Sequence, residues 1–190
     1  ERALRLNRDH AESWAKRGQA LRRLGRYKES VAAYDQALKL EPGYAWAWNG
    51  RGLALEAMER REEALLSYER AAQEDPSSIW YCINQIEPLL SLGRLEEALH
   101  VSEQAITIEP GNESAWARKG QILRRMDRHA EAVEAYDQAI TLSPEYGWAW
   151  NGKGLAFSAL ERYEDALVCF VRATEVAPRD VWFWHNRGEA

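Results

Sequence analysis

The histidines are the first place to look for chemistry, and their placement gives none. His10, His100, His129 and His185 stand far apart, with no HExxH pair, cysteine pair or glycine-rich phosphate loop beside them. Gly50-Arg51-Gly52 comes nearest to such a loop, but it falls inside a stretch of helical periodicity, where small residues serve packing. The carboxylates lie on Glu/Lys/Arg-rich polar faces and need no mechanism. Asn112-Glu113-Ser114 matches a glycosylation acceptor and is read as a polar turn between elements. The sequence therefore predicts no catalytic residue, no metal site, no cofactor and no enzymatic activity.

Side chains suited to binding are more ordered. Trp46, Trp80, Trp148 and Trp182 each open an apolar stretch, and Asn49 and Asn151 follow two of them three residues later. A tryptophan offers about 150–250 Å², roughly 4–6 kcal/mol if a partner covers it at about 25 cal/mol per Å². The alternative is that each ring packs on the last turn of the preceding element, beside Tyr44 or Tyr146. An asparagine amide carries donors and an acceptor for a peptide backbone, or is simply solvated. Arg22-Arg23 and Arg124-Arg125, followed by Arg26 and Arg128, place guanidinium clusters at matching points. They suit a carboxylate, a phosphate or an acidic peptide, or else only complement a helix C-terminus.

The elements that must position these residues repeat themselves. Tyr44 to Ala54 returns almost unchanged as Tyr146 to Ala156, 102 residues on, and Trp14, Trp48, Trp116, Trp150 and Trp184 follow a 34-residue grid broken only at Cys82. Such a period signals stacked supersecondary units. Each unit holds two apolar stripes at helical spacing closed by a proline, which predicts a helix hairpin. In the first unit the helices are expected at Ala11 to Leu24 and Lys28 to Leu40. Trp14, Gly18 and Leu21 share one face, Ser30, Tyr34 and Ala37 answer them, Gly25 makes the turn, and Pro42 ends the unit.

Trp48, Gly52, Leu55, Ala64, Tyr68, Ala71 and Pro76 repeat this set, as do Trp116, Gly120, Leu123, Ala132, Tyr136, Ala139 and Pro144. Trp150, Gly154, Phe157, Ala166, Phe170, Ala173 and Pro178 complete it. The pattern resembles the tetratricopeptide repeat, W-x2-L-G-x2-Y, A-x3-F, a further alanine and a closing P. One departure is general, since Arg17, Arg51, Lys119 and Lys153 stand where the family favours leucine; their stems can cover apolar surface while the charge stays wet. The resemblance implies an all-α solenoid, a right-handed superhelix of antiparallel helix hairpins. Repeats are expected at 11–44, 45–78, 79–112 (degenerate), 113–146 and 147–180, with residues 1–10 ending a truncated preceding repeat and 181–190 starting another, all as one continuous solenoid domain.

The resemblance also implies that the first helices line a concave groove. On it the expected peptide-binding residues are Gln19, Arg22, Arg23, Trp46, Asn49, Leu53, Trp80, Asn84, Gln121, Arg124, Arg125, Trp148, Asn151, Leu155 and Trp182. The lysine/asparagine clamp by which some relatives grip chaperone tails does not match, because Ala15, Gln19, Gly50 and Trp80 occupy its places. The function expected is a protein-protein interaction scaffold or adaptor binding a peptide or helical segment. The alternatives are a regulatory or sensor arm of a larger protein, or a scaffold that self-associates through its terminal half-repeats.

The third unit is irregular, with Cys82 and Ile86 for tryptophan and glycine and Pro88 within its first helix. An interior proline costs about 3 kcal/mol in a regular helix, so a kink or shortened helix is expected near Glu87. The net charge of −5 speaks against a nucleic-acid partner. No stretch reaches the roughly 18–20 apolar residues of a membrane span, and Glu1 to Arg5 does not begin a signal peptide. Cys82 and Cys169 are too few for a disulfide framework, and both are expected to pack as small apolar residues, which points to a reducing, cytoplasmic setting.

Overall fold

The computed structural model describes residues 10–189, so the expected half-repeat before them lies outside the described residues. Among these, eleven helices and no strand are found. Two compact units divide the chain, one ending at Gly93 and the other beginning at Arg94. The first holds α1 (Ala11–Arg23), α2 (Tyr27–Leu40), α3 (Ala45–Glu56), α4 (Arg61–Glu74) and α5 (Ile79–Ser91). The second holds α6 (Leu95–Ile108), α7 (Glu113–Arg125), α8 (His129–Leu142), α9 (Gly147–Ala159), α10 (Tyr163–Val176) and α11 (Val181–Glu189).

Within each unit every helix packs on the next, and the first helices of successive hairpins also touch, α1 on α3 and α7 on α9. The hairpin turns follow one design. In α1 the chain passes Leu24 into Gly25 at φ 72°, and Arg26 N–H returns to the Leu21 carbonyl at 2.9 Å. This is the six-to-one bond of a left-handed helix cap. Arg60, Arg128 and Arg162 make the same bond to Leu55, Leu123 and Phe157. Pro42, Pro76, Pro144 and Pro178 each stand two residues beyond a second helix, where proline forces the chain onward.

Close packing inside a hairpin depends on a glycine facing a ring. Tyr34, Tyr68, Tyr136 and Phe170 are among the largest fully buried side chains. A Cβ at Gly18 would meet the Tyr34 ring at 2.9 Å, and Ser30 Oγ donates to the Gly18 carbonyl at 2.7 Å. Gly50 and Gly52, the pair that superficially suggests a phosphate loop, lie inside α3. A Cβ on Gly50 would overlap the Tyr34 ring of the preceding hairpin, and one on Gly52 the Tyr68 ring of its own. One helix therefore receives a tyrosine on each side, and helix packing accounts for the motif.

The expected disturbance at Pro88 is corrected by the structure. Helix α5 runs unbroken through thirteen residues, the same length as α1, α7 and α9. Pro88 lies in its closing turns, so only the bond to the Asn84 carbonyl is forgone. The ring is fully buried, and the ladder resumes with Leu92 N–H on the Pro88 carbonyl at 3.0 Å. Packing offsets a cost that would fall harder on mid-helix.

Candidate functional site

The grid tryptophans are latches. Trp48, Trp116, Trp150 and Trp184 donate Nε1–H to the carbonyls of Pro42, Pro110, Pro144 and Pro178 at 2.8 to 2.9 Å, tying each first helix to the end of the preceding hairpin. The cations that replace the family's leucine lie beside them. Arg17, Arg51 and Lys153 stand 5.4 to 5.9 Å from the rings of Trp14, Trp48 and Trp150. Arg51 and Lys153 also pair with Asp35 and Asp137 of the preceding second helix. Each of these two cations therefore covers an indole and bridges two hairpins. Between α2 and α4, Asp35, Trp48 and Arg51 border a depression of about 810 Å³ that also includes Leu66 and Arg70. Its central Arg51 is already held by Asp35 and Ser67.

The first-helix face carries the other tryptophans, and they divide into two kinds. Trp46 and Trp148 are half-buried, packed edge-on to Tyr34 and Tyr136 at 6.3 and 6.4 Å and against Tyr44 and Tyr146 at 5.9 and 6.2 Å. Trp80 and Trp182 are 61% and 70% exposed. The residues before their helices explain the split, since Ser78 and Asp180 take the places of Tyr44 and Tyr146 and offer no aromatic shelf. Leu53 and Leu155 are half-buried against the apolar clusters of their own hairpins. Gln19 is half-buried, and Gln121 accepts from Arg118 at 3.1 Å.

The asparagines are joined in pairs. Asn84 Nδ2 donates to Asn49 Oδ1 at 2.8 Å, and Asn186 Nδ2 donates to Asn151 Oδ1 at 2.8 Å. Each bond spans neighbouring first helices and uses one donor and one acceptor; Asn151 is buried, and Asn49, Asn84 and Asn186 are half-buried. Sequence reasoning missed Asn186, although it lies 102 residues after Asn84.

The arginine clusters come apart. Arg22 is half-buried on this face, and its charge pulls against the burial of the Tyr34 hydroxyl; Arg124 does the same to Tyr136. The Nε of each is buried and without a hydrogen-bond partner. Arg23 and Arg125 are exposed. Arg26 and Arg128 instead form two-pronged pairs with Glu29 and Glu131, as Arg60 and Arg94 do with Glu63 and Glu97. Those bonds hold all four glutamates below the usual carboxylate range.

The buried tyrosines titrate high. Burial pushes Tyr136 up to about 12 against the opposing pull of Arg124, and raises Tyr34 likewise. Tyr68 is raised by burial and by the Glu56 carboxylate, to which its hydroxyl donates at 2.6 Å. Cys82 and Cys169 are free and buried, as expected of small apolar residues, and burial lifts the Cys169 thiol to about 11. Among the described residues no three His, Cys, Asp or Glu side chains are grouped to hold a metal, and no helix is long and apolar enough to cross a membrane.

Comparison with known proteins agrees with the architecture. Among curated proteins no relative matches the chain. Solved structures match over nearly its whole length. YrrB, described as a TPR protein with an unusual peptide-binding site, is 21% identical, with 98% of this chain and 96% of that one covered at a TM-score of 0.77. MamA from Desulfovibrio magneticus RS-1 is 18% identical over 90% and 97% at 0.80. TTC0263, a thermophilic TPR protein of Thermus thermophilus, is 19% identical over 94% and 97% at 0.74. The profiles described as TPR repeat and tetratricopeptide repeat match residues 18–59, 45–78 and 112–179. With hairpins, latches and profiles in one register, the chain belongs to the tetratricopeptide repeat family.

Proposed function

We propose that the chain is a non-catalytic interaction scaffold whose first-helix face binds an extended peptide segment of another protein. The observation that carries this reading is the pair of asparagine bridges, Asn49 with Asn84 and Asn151 with Asn186. Each joins two first helices through one amide bond, three residues after a half-buried tryptophan, and the amide groups not used in the bond suit a peptide backbone. The exposed Trp80 and Trp182 supply further apolar contact, of the kind that dominates peptide recognition. YrrB, which shares the fold, is described as peptide-binding. Gln19, Leu53, Gln121 and Leu155 frame these contacts, and Arg23 and Arg125 add charge at the rim. Each unit carries one such subsite.

The test is selection of a displayed random octapeptide library on the whole chain. Peptides are expected to be enriched, and to bind the Asn49→Ala/Asn151→Ala and Trp80→Ala/Trp182→Ala variants at least about tenfold more weakly, with helix content by circular dichroism unchanged. No enrichment, or equal affinity for both variants, overturns the reading. A second reading is self-association, favoured by the exposure of Val181, Trp182 and Trp184 on α11. Sedimentation velocity over a range of concentrations checks it, since a constant monomer mass removes it.

A further inference from the structure

The second helices α2 and α10 carry opposite charges at the same two places of the repeat. On α2 these are Lys28 and Lys39, and on α10 they are Glu164 and Glu175. All four residues are exposed. Each pair is eleven residues apart, which sets its members about 16 Å from one another along one face of the helix. None of α4, α6 and α8 has two like charges at these places. Glu175 accepts from Arg172 at 3.0 Å, and the other three charges have no ion pair among the described residues.

What lies between the charges is complementary as well. On α10 it is an apolar ridge, since Val168 and Val171 stand between Glu164 and Glu175, with Leu167 beside them. Val168 is 66% exposed and Leu167 43%. On α2 the corresponding places hold Ala32 and Asp35, and both border the depression of about 810 Å³ whose apolar lining includes Trp48 and Leu66. Leu66 is 60% exposed. Asp35 is already neutralised by Arg51 at 2.8 Å, and Glu69 and Arg70 on the α4 wall bring one charge of each sign. A small residue thus opens a hollow in one unit where the other presents branched side chains.

We propose that α10 of one copy of this chain docks in the α2–α4 depression of a second copy, with Val168 and Val171 on Trp48 and Leu66, and the carboxylates of Glu164 and Glu175 on the ammonium groups of Lys28 and Lys39. Burial of the ridge supplies the attraction, while the charges set the register and reject a like surface. A ridge and a depression are different surfaces, so the contact is heterologous, the kind that builds rings or filaments. It does not use the peptide-binding face, and it gives self-association a surface other than α11.

The test is sedimentation velocity of the whole chain over about 1 µM to 1 mM, the range of weak complexes. The mass is expected to rise with concentration. Lys28→Glu/Lys39→Glu and Glu164→Lys/Glu175→Lys should each weaken association by at least about tenfold, because each puts like charges in contact. An equimolar mixture of the two should restore it, since every contact between unlike variants again pairs opposite charges. Val168→Asp, which keeps all four charges, should weaken association too. Thermal melts confirm that each variant folds. A monomer mass throughout would overturn the proposal, as would a mixture no more associated than its components, or a reversed variant that associates like the parent chain. Association kept on charge reversal but lost on Val181→Asp/Trp182→Ala would move the contact to α11 and leave self-association standing.

Discussion

The first and second units agree at the crossings where a glycine faces the ring of Tyr34 or Tyr136 and differ in the charges carried on the first-helix face. Gly18 and Gly120 meet Tyr34 and Tyr136 in the same way, as do Gly50 and Gly152 on the other side of each ring. On the face that carries Trp46 and Trp148 the counterparts part company. Lys16 pairs with Glu12 at 2.6 Å, whereas Arg118 lies over Trp148 and donates to Gln121. Ser114 stands where Glu12 does, so the matching cations of the two units make different contacts. An enclosed ring fixes its neighbours because a single methyl overlaps it. Exposed ion pairs contribute about 0–1 kcal/mol, so the fold does not dictate which charges stand on this face.

The strongest way to break this comparison is to remove the shared rings. Tyr34→Ala and Tyr136→Ala should each destabilise the chain by about 3–5 kcal/mol, the usual cost of deleting a buried aromatic. Urea unfolding checks it, and a clearly milder loss at one site would mean that the units are not built alike. Gly50→Ala and Gly152→Ala come next, at about 1–3 kcal/mol for forced overpacking. Each should lose most of that cost when combined with the alanine at its own tyrosine. Additive double variants would show that the glycines matter for a different reason. Weaker again is Trp150→Phe, which forgoes the bond to the Pro144 carbonyl and should cost about 1 kcal/mol. Trp48→Phe should match it.

These enclosed contacts are also what can be read in the sequence. Glycine, tyrosine and alanine at helical spacing announce a close helix crossing, because that packing needs small and large residues in alternation. The first-helix face is harder to read, since its contacts join different repeats. Asn49 and Asn84 stand 35 residues apart, one more than the repeat, and only the crossing of α3 and α5 makes them partners. Trp46 and Trp80 look equivalent by register, yet the residue before each helix decides whether the ring is sheltered. Pro88 misleads because its cost depends on its distance from the helix end and on what covers the ring.

The smallest effect concerns the hairpin turn, where the repeats disagree most openly. Gly25 and Gly93 take the left-handed position at φ 72°, but Glu59, Asp127 and Glu161 adopt it at 57 to 59°. A residue with a Cβ pays roughly 1–2 kcal/mol there, while glycine loses about 0.4–1 kcal/mol through its freer unfolded chain. The difference favours glycine by several tenths to about 1 kcal/mol. Glu161→Gly should therefore raise the melting temperature slightly, and Glu59→Gly should match it across the two units. Asp127→Gly should gain less, because aspartate tolerates this conformation through its short polar side chain. A lower melting temperature for Glu161→Gly would mean that the carboxylate contributes something at the turn that its backbone geometry does not reveal, and the turn would then join the charged positions on which the two units differ.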